Sequence, residues 1–357
     1  MLIDAEGNLL TTRADALVNT VNTVGVMGKG IALQFKRAFP ANYRAYVQAC
    51  EEGRVRLGEM FVFRLDQLQA PYFIINFPTK GNWRSKSRIE DIESGLRDLR
   101  RVIGELGLDS VALPPLGCGN GGLDWSEVRP LIDEMLGDLP RVEIKVFAPV
   151  GTPPAEQMPV RTVAPRMTHF AAAILVAYSR YIRRSLDAGL SVEPKLAMLE
   201  AQKLAYFLQE SGWPLRLAFD KGKYGPYSDD LNRFISSIEG HFVRGFGDGT
   251  AGSEARLILD PQAVARAESL LADDGEYQAV VERLLDTVSG FEFPYGVELL
   301  STVHFAACKS TPPDPSLGSV IHVINEWSPR KAALFKRHQA QTAYEKLVAA
   351  GLLPCGT

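Results

Sequence analysis

One stretch of the sequence constrains the fold more than any other. Tyr72-Phe73-Ile74-Ile75-Asn76-Phe77 has five apolar residues in six, most of them aromatic or β-branched, which is typical of a buried central strand. We predict that this strand ends at Pro78, because proline has no backbone N–H with which to continue a ladder. Lys80 would then follow the end of a strand, where α/β folds bind their ligands. The alternative for a single lysine is a solvated loop, and the rest of the chain decides between the two.

Length and composition bound the class of protein. A chain of 357 residues exceeds one ordinary core and predicts about two domains. With 23% charged and 46% hydrophobic residues, the composition is that of a soluble globular protein. The formal net charge of -3 excludes a generally basic surface, so any contact with nucleic acid must be local.

The cysteines and the N-terminus predict the compartment. Cys50, Cys118, Cys308 and Cys355 are far apart and form no CxxC pair, which argues against a zinc site and a disulfide framework. No Cys, His and Asp residues assemble at ligand spacing, so we predict neither a metal nor another cofactor. The N-terminus has no signal-peptide pattern, and the apolar run at 170–178 is too short to span a bilayer. We expect a cytoplasmic protein with reduced thiols and no membrane contact.

Residues 1–149 alternate between strand-like and helix-like stretches. Apolar and β-branched runs predict strands at 16–19, 60–63, 72–77, 110–114 and 142–147. Helical spacing of apolar residues predicts helices at 31–38, 42–52, 89–105 and 126–136. This alternation implies a mostly parallel or mixed sheet with helices on both faces.

A change in the pattern of predicted helices and strands indicates the domain boundary. The stretch 148–166 contains five prolines, among them Pro149, Pro153, Pro154 and Pro159, and few apolar residues, which indicates a linker. The predicted helices of the second half are 167–185, 194–211, 227–239, 261–272, 277–288, 296–309, 319–325 and 331–350. Strand signals are limited to 215–219 and 257–259. We place a first domain at 1–149, a linker at 150–160 and a mainly helical domain at 161–357.

Two glycine-rich loops each follow a predicted strand and precede a predicted helix. The first covers residues 19–31 and includes Gly25, Gly28 and Gly30; the second covers 116–123. The first is not a Walker A loop, because Ile31 stands where Lys-Ser/Thr is needed, and the GxGxxG letters of the second are weak outside a first strand. Either loop alone could be a flexible turn. Together in one α/β domain they can bind a diphosphate from both sides.

Several motifs in order along residues 1–149 resemble a macrodomain, the ADP-ribose-binding fold. They are Gly7-Asn8-Leu9-Leu10, Asp15-Ala16-Leu17-Val18-Asn19, Gly28-Lys29-Gly30-Ile31-Ala32 and Pro115-Leu116-Gly117-Cys118-Gly119. The resemblance implies a three-layer α/β/α macrodomain with a mixed sheet. Met27 to Ala32 with Thr79-Lys80 is similar to the branch that removes terminal ADP-ribose with a lysine. Asn76 to Lys80 with Trp83-Arg84 resembles the antitoxins that reverse ADP-ribosylation of thymine bases in single-stranded DNA.

The resemblance implies a set of site residues. Lys80 is the candidate catalytic residue. The residues expected to bind ADP-ribose are Asn8 and Leu9 near the adenine, Asn22 at the distal ribose, Gly28, Lys29, Gly30 and Ile31 on one side of the diphosphate, Gly117, Cys118, Gly119, Asn120, Gly121 and Gly122 on its other side, and Thr79. Many macrodomains have Asp where this chain has Asn8. In lysine-using relatives an Asp assists the covalent adduct; its matched position here is Gly121, and Asp124 is offset from it.

The chemistry of Lys80 leaves two alternatives open. Cleavage at the anomeric carbon passes through an oxocarbenium-like state, and a neutral lysine can attack that carbon or form a Schiff base with the ring-opened sugar. Burial beside positive groups would have to lower its pKa, and Arg84, Lys86 and Arg88 are candidates for that repulsion. Alternatively, a cationic Lys80 steadies the leaving base or a ribose hydroxyl without a covalent step.

Trp83 and Arg84 are the candidate contacts to DNA. An aromatic ring stacks on unpaired bases of any sequence, so Trp83 can bind the modified base or its strand. The alternative is that Trp83 merely packs against the first turn of the predicted helix 89–105.

Residues 161–357 resemble the helical toxin-neutralising domain of bacterial antitoxins. The likeness rests on residues 195–207, on Gly222-Lys223-Tyr224-Gly225-Pro226-Tyr227 and on residues 298–304, where His304 is more typical of a buried, hydrogen-bonded histidine than of a ligand. Between Asp248 and Glu298 there are eleven acids and only three bases. Such a run is usually a solvated face, but a negative helical surface can also occupy the basic groove of a partner.

These observations favour one function over two others. We expect an ADP-ribosyl glycohydrolase that acts on ADP-ribosylated single-stranded DNA and also binds and inhibits a cognate ADP-ribosyltransferase toxin, which makes the mark from NAD. The alternatives are a reader that binds ADP-ribose without cleaving it, and a glycohydrolase that acts on ADP-ribosylated protein carboxylates. Lys80 argues against a reader, and Trp83 with its basic neighbours argues for nucleic acid.

Overall fold

The structure, a computed structural model, describes residues 1–149, 151, 153–308 and 316–353. The chain forms two compact units. The first comprises Met1–Val163 together with Gly247–Thr250, and the second comprises Ala164–Phe246 and Ala251–Thr357. The predicted boundaries at 149 and 161 stay a prediction; within the predicted linker, residues 155–157 form a short 3-10 helix and Met158 is buried.

A six-stranded mixed sheet forms the centre of the first unit. Its strands are β1 (Leu2–Ala5), β2 (Ala16–Asn22), β3 (Phe61–Arg64), β4 (Phe73–Lys80), β5 (Ser110–Leu113) and β6 (Glu143–Phe147). The order across the sheet is β1-β6-β5-β2-β4-β3, and only β3 runs antiparallel to its neighbour. The strand at the N-terminus, β1, was not predicted. The mixed sheet of the predicted fold class is confirmed.

The expected end of the central strand at Pro78 is wrong, because β4 continues to Lys80. Val21 of β2 lies opposite Pro78, and Asn22 lies opposite Lys80, so the register shifts by one residue between these pairs. On its other side β4 pairs with β3 only as far as Asn76. Pro78 therefore sits at an irregularity beyond the last β3 partner, which is where a strand tolerates proline.

Four helices cover the two faces of the sheet. They are α1 (Gly30–Ala38), α2 (Pro40–Glu51), α3 (Ile89–Leu106) and α4 (Trp125–Leu136). Alternate residues of β2 point to opposite faces, as a strand requires: Ala16 and Val18 belong to the core under α3 and α4, whereas Leu17 packs with Phe35 of α1. The result is the expected three-layer α/β/α arrangement.

The second unit is mainly helical, as predicted. Its helices are α5 (His169–Asp187), α6 (Met198–Glu210), α7 (Asp229–Ile238), α8 (Pro261–Leu270), α9 (Gly275–Val288), α10 (Pro294–Cys308), α11 (Leu317–Trp327), α12 (Pro329–Leu334) and α13 (Arg337–Ala349). Its short strands are β7 (Leu196–Ala197), β8 (Asp220–Gly222), β9 (Gly225–Tyr227), β10 (Val243–Arg244) and β11 (Arg256–Leu259). Within the described part of the chain, no helix is long and apolar enough to cross a membrane.

Two sequence expectations about the second unit need correction. Residues 215–219 form no strand; the paired strand begins at Asp220, in a hairpin with β9. The expected single helix at 331–350 is two helices, because the backbone at Phe335 and Lys336 is extended and breaks the run between α12 and α13. The expected helix end at Lys309, like Cys355, lies outside the described residues.

A buried ionic cluster joins three helices of the second unit. Glu298 of α10 accepts a bidentate pair from Arg330 and a hydrogen bond from Lys331, both on α12. Lys203 of α6 lies close by and donates to the Pro226 carbonyl over 2.6 Å. Burial, with the charge of Lys331, lowers the pKa of Lys203 to about 7. Residues from the three motifs that resemble the toxin-neutralising domain, at 195–207, 222–227 and 298–304, therefore meet in the interior of this unit.

The acidic run between Asp248 and Glu298 does not form one negative surface, which corrects that expectation. Asp248, Glu292 and Glu298 are buried. Three further acids pair with arginines of α5, at distances of 3.3 to 3.7 Å: Glu268 with Arg183, Glu282 with Arg180 and Asp286 with Arg184. The expectation for His304 is confirmed, since it is buried with Nδ1 2.7 Å from the Tyr206 hydroxyl.

Candidate active site

Lys80, the last residue of β4, reaches the second glycine loop. Its Nζ donates to the backbone carbonyl of Asn120 over 3.0 Å. The side chain is half-buried, and burial lowers the pKa of Lys80 below its ordinary value. We expected repulsion from Arg84, Lys86 and Arg88 to lower the pKa of Lys80, but burial is the cause. The side chains of these three residues are exposed, and Arg88 lies 3.8 Å from Glu90. A partly desolvated amine therefore stands at the end of the central strand.

The first loop is held by Asn22 and Tyr46. The Asn22 side-chain oxygen accepts from the N–H groups of Val24 and Val26, and its amide donates to the Val26 carbonyl. Tyr46 of α2 donates to the Asn22 carbonyl over 2.6 Å. In this structure the Asn22 side chain therefore shapes the loop, and its expected contact with a ribose stays a prediction.

The N-terminus of α1 already has a partner from far along the chain. The Gly30 N–H donates to the carbonyl of Asp248 over 3.1 Å, and the Gln34 side chain donates to the Asp248 carboxylate over 3.2 Å. Asp248 belongs to Gly247–Thr250, the segment that forms part of the first unit. Of the amides expected to bind diphosphate, that of Gly30 is thus engaged. No local signal in the sequence predicted this contact, because 214 residues separate Gln34 from Asp248.

The remaining residues of the first loop differ in exposure. Gly28 and Lys29 are exposed, and Lys29 precedes α1 in an extended backbone conformation. Ile31 is half-buried against the core that contains Phe35. Thr79 is buried on β4, and its hydroxyl donates to the Val21 carbonyl over 3.4 Å.

The second loop is a compact turn around Asn120. The Leu123 N–H donates to the Gly117 carbonyl and the Gly122 N–H donates to the Gly119 carbonyl, both over 3.1 Å. Gly117 has a φ of +70°, a conformation that favours glycine. Burial raises the pKa of the Cys118 thiol to about 11, so Cys118 is protonated at neutral pH and is a poor nucleophile.

No side chain fits at Gly121. A Cβ built on Gly121 would lie 2.3 Å from the Gly117 carbonyl oxygen and 2.4 Å from Oγ of Ser87. A carboxylate at this position is therefore sterically excluded in this loop. The nearby Asp124 caps α4 instead: its carboxylate accepts from the N–H and the hydroxyl of Ser126, and these hydrogen bonds hold its pKa below the usual range.

The two loops and Lys80 meet at Asn120. A Cβ on Gly30 would lie 3.0 Å from the side-chain amide nitrogen of Asn120, so the first loop closely approaches the second. The carbonyl of the same residue accepts from Lys80. One residue thus accepts a hydrogen bond from the amine and closely approaches the loop on the opposite side.

Trp83 lies three residues after Lys80 and is 48% exposed. The guanidinium carbon of Arg84 lies 4.5 Å from the centroid of the Trp83 ring. Trp83 is therefore not a buried core residue, and its expected contact with DNA stays a prediction beside the alternative of packing against the first turn of α3. An exposed ring with a cation stacked on it suits an unpaired base with its phosphate.

The residues expected near the adenine are engaged elsewhere in the first unit. The Asn8 side chain accepts from the Leu10 N–H and donates to the Gln157 carbonyl over 2.8 Å. Leu9 is buried in the core with Phe35. The expected adenine contacts of both residues stay predictions.

Sequence reasoning missed a buried amide network beneath the first loop. Asn19 of β2 and Asn42 of α2 both donate to the side-chain oxygen of Asn76 on β4, and Asn76 donates back to Asn42 over 2.8 Å. The network joins the two strands that carry the first loop and Lys80. Asparagines inside apolar runs are the only sequence signal for this network.

Near the site, Thr23 donates through both its N–H and its hydroxyl to the Gly81 carbonyl.

No group of three or more His, Cys, Asp or Glu side chains that could hold a metal occurs among the described residues. Lys80 and backbone groups are the candidate reactive and binding groups. An amine beside a loop of amides and carbonyls can bind a phosphorylated sugar and act at its anomeric carbon.

Comparison with known proteins identifies the family. The family model for the Macro domain matches residues 18–132. A DNA ADP-ribosyl glycohydrolase of Thermus aquaticus is 48% identical over 353 residues, which cover 99% of this chain and 94% of that protein. The solved macrodomain of Thermus aquaticus DarG is 58% identical, with a TM-score of 0.41, and the match covers 42% of this chain and 99% of that structure. A DNA ADP-ribosyl transferase–DNA ADP-ribosyl glycohydrolase fusion protein of Thermosipho africanus is 35% identical over 160 residues, 41% of each chain.

The Thermus aquaticus glycohydrolase matches both units of the chain at 48% identity, so the similarity extends well beyond the macrodomain. The chain belongs to the DNA ADP-ribosyl glycohydrolases, a family of hydrolases.

Proposed function

We propose that this chain removes ADP-ribose from thymine bases of single-stranded DNA through Lys80. The observation that carries the proposal is the position of the Lys80 amine, half-buried and 3.0 Å from the Asn120 carbonyl, where the two glycine loops approach each other. A diphosphate held by these loops leaves the distal ribose beside the amine. The family membership supports DNA as the carrier of the ADP-ribose.

Trp83 and Arg84 supply the contact to the nucleic acid in this proposal. The exposed ring stacks on the modified base, and the guanidinium that lies over the ring faces the neighbouring phosphate. This arrangement favours DNA over the alternative of an ADP-ribosylated protein carboxylate. A reader that only binds ADP-ribose would not need an aromatic contact to the modified base.

The deciding experiment compares two substrates. The full chain is incubated with a thymine-ADP-ribosylated oligonucleotide and, separately, with a glutamyl-ADP-ribosylated protein, and released ADP-ribose is quantified. We expect release from the oligonucleotide by wild type and none by Lys80→Ala. Lys86→Ala, which replaces an exposed lysine shortly after β4, should behave as wild type. Binding of ADP-ribose without release would identify a reader. Release from the protein alone would identify the carboxylate glycohydrolase.

The second activity in this proposal is inhibition of a cognate DarT-type ADP-ribosyltransferase toxin by residues 161–357. The Thermosipho africanus relative, whose name joins a transferase and a glycohydrolase in one chain, supports a pairing of the two activities. The second unit has its own core, which includes Leu204, Val281 and Leu300. This core supports folding of the unit by itself. Glu254, Asp273 and Glu276 remain exposed for an electrostatic contact.

Inhibition is separable from hydrolysis by a simple test. The Lys80→Ala chain and a fragment of residues 161–357 are each added to the toxin, with NAD and a thymine oligonucleotide. We expect both to prevent labelling of the DNA, and we expect their affinity for the toxin to fall as salt rises. Inhibition by the Lys80→Ala chain but not by the fragment would place toxin binding in the macrodomain.

A further inference from the structure

Ser87 lies between the turn that carries Trp83 and Arg84 and the start of α3. It is only 6% exposed, although Ser85 and Lys86 before it are exposed. Its N–H donates to the Gly121 carbonyl over 3.0 Å. Its side-chain oxygen is buried and makes no hydrogen bond to any described residue. A buried hydroxyl without a partner is costly, so its presence in a native protein calls for an explanation.

The second loop lies directly on this hydroxyl. The Ser87 oxygen is 2.4 Å, and the Gly117 carbonyl oxygen 2.3 Å, from the point that a Cβ of Gly121 would occupy. A Cβ on Gly117 would itself lie 3.2 Å from Cβ of Ser87. The two oxygens are thus near neighbours, and no side chain separates them.

The Gly117 carbonyl is the natural acceptor for this hydroxyl. It already accepts from the Leu123 N–H, and a carbonyl oxygen has a second lone pair. A small displacement of residues 117–121 therefore suffices to form the Ser87 hydrogen bond. The same loop carries Asn120, whose carbonyl accepts from Lys80, so its position is transmitted to the amine.

We propose that Ser87 is a positioning residue for the second loop: when the nucleotide binds, the Ser87 hydroxyl donates to the Gly117 carbonyl and holds the loop in its bound position. The inference rests on the proposed function only in taking ADP-ribose as the nucleotide. Ser87 touches neither the substrate nor Lys80. It acts through the loop, and its unpaired hydroxyl favours the bound state by destabilising the free one.

The test uses the full chain with Ser87→Ala, and with Ser85→Ala as the matched exposed control. Melting temperature without nucleotide and affinity for ADP-ribose by calorimetry are measured for each. We expect Ser87→Ala to melt no lower than wild type, because it loses an unpaired hydroxyl, and to bind ADP-ribose about tenfold more weakly. Ser85→Ala should match wild type in both measurements.

Two results would overturn the assignment. Unchanged ADP-ribose affinity in Ser87→Ala means that the hydroxyl has no part in the bound state. A lower melting temperature of the free variant means that the hydroxyl already has a partner there, and that its role is ordinary packing. Failure of the proposed function is distinguishable, because a wild-type chain that binds ADP-ribose but leaves the oligonucleotide intact still reports on Ser87.

Discussion

The amine of Lys80 donates a hydrogen bond to the backbone carbonyl of Asn120, and the side chain of Asn120 approaches Gly30 of the opposite loop. A side chain that ends the central strand is therefore joined to both glycine loops through a single residue. The contact with Lys80 uses the Asn120 backbone carbonyl and depends on the loop conformation, whereas the approach to Gly30 is made by the Asn120 side-chain amide.

The pH dependence of turnover should report on Lys80. Burial lowers the pKa of Lys80, so its titration should fall below the ordinary lysine value of about 10.4. If the neutral amine is the nucleophile, kcat rises with pH through this limb; if the cation acts, kcat falls. The pH dependence is measured with the oligonucleotide substrate at pH values below the ordinary lysine pKa of about 10.4.

Lys80→Arg separates the two mechanisms, because a guanidinium keeps its charge but cannot act as an amine nucleophile. Residual activity in this variant, without the pH limb, would identify the cationic role. Complete loss, together with trapping of a reduced adduct on wild-type Lys80 by borohydride, would identify the covalent one. A wild-type profile with no limb below the ordinary lysine pKa of about 10.4 would contradict a lowered pKa of a Lys80 that acts in turnover.

Replacement of Trp83 should affect DNA and free nucleotide differently. Trp83 is exposed and stacked under Arg84, so Trp83→Ala removes a platform for the base without disturbing the core. We expect kcat/KM on the ADP-ribosylated oligonucleotide to fall about tenfold or more, in line with the value of one stacked base. Affinity for ADP-ribose should change less than twofold, a difference of about 0.4 kcal/mol.

The matched control is Tyr72→Ala, an exposed aromatic that precedes β4 at the end opposite Lys80. It should leave both measurements unchanged. Equal losses of turnover and ADP-ribose affinity in Trp83→Ala would refute the assignment of Trp83 to the base.

A methyl group at Gly121 should disable the second loop. Its Cβ would lie 2.3 Å from a backbone oxygen, and backbone cannot yield as a flexible side chain can. We expect Gly121→Ala to bind ADP-ribose at least about tenfold more weakly, a loss of roughly 1.4 kcal/mol, with an unchanged circular dichroism spectrum. Gly119→Ala is the control, because a Cβ at Gly119 meets nothing within 4 Å. Wild-type affinity in Gly121→Ala would show that the loop conformation differs in the bound state.

The buried lysines predict how the stability of the second unit depends on pH. Burial lowers the pKa of Lys203 to about 7 and that of Lys331 to about 8, both below the unfolded value of about 10.4. Between these values the unfolded chain binds more protons than the folded chain, so the free energy of unfolding rises with pH from 7 towards 10. Glu298 does not reverse this trend, because the hydrogen bonds and charges of Arg330 and Lys331 overcome burial and hold its pKa below the ordinary value.

Lys203→Met removes the Lys203 contribution to this rise. Urea unfolding at pH 7 and pH 9.5, read by pulsed hydrogen exchange in peptides of α6 and α10, should show a smaller gain of stability in the variant than in wild type. Lys223→Met, which replaces an exposed lysine, should keep the wild-type gain. Identical gains in Lys203→Met and wild type would show that Lys203 keeps an ordinary pKa in the folded chain.

The sequence by itself determined the layers of the first unit and the position of its candidate amine. Strand and helix periodicities are local, and the hydrophobic face of each element follows from its own residues. The apolar run before Pro78 therefore located the central strand, and the glycines located both loops. The expectation that the strand ends at Pro78 failed for the same reason. Whether a proline ends a strand depends on whether a neighbouring strand needs a backbone N–H at that position, and strand pairing is not a local property of the sequence.

Only the tertiary structure decided which groups surround that amine. The approach of Asn120 to Lys80, the Ser87 hydroxyl beneath Gly121, the contact of Asp248 with Gly30, and the burial of Glu298 beside Lys331 all join residues that are far apart along the chain. A hydrogen bond between distant residues depends on strand order, on the packing of helices and on loop closure, and none of these leaves a periodic trace in the sequence. The pKa of Lys80 follows the same rule, since burial is a property of the packed molecule.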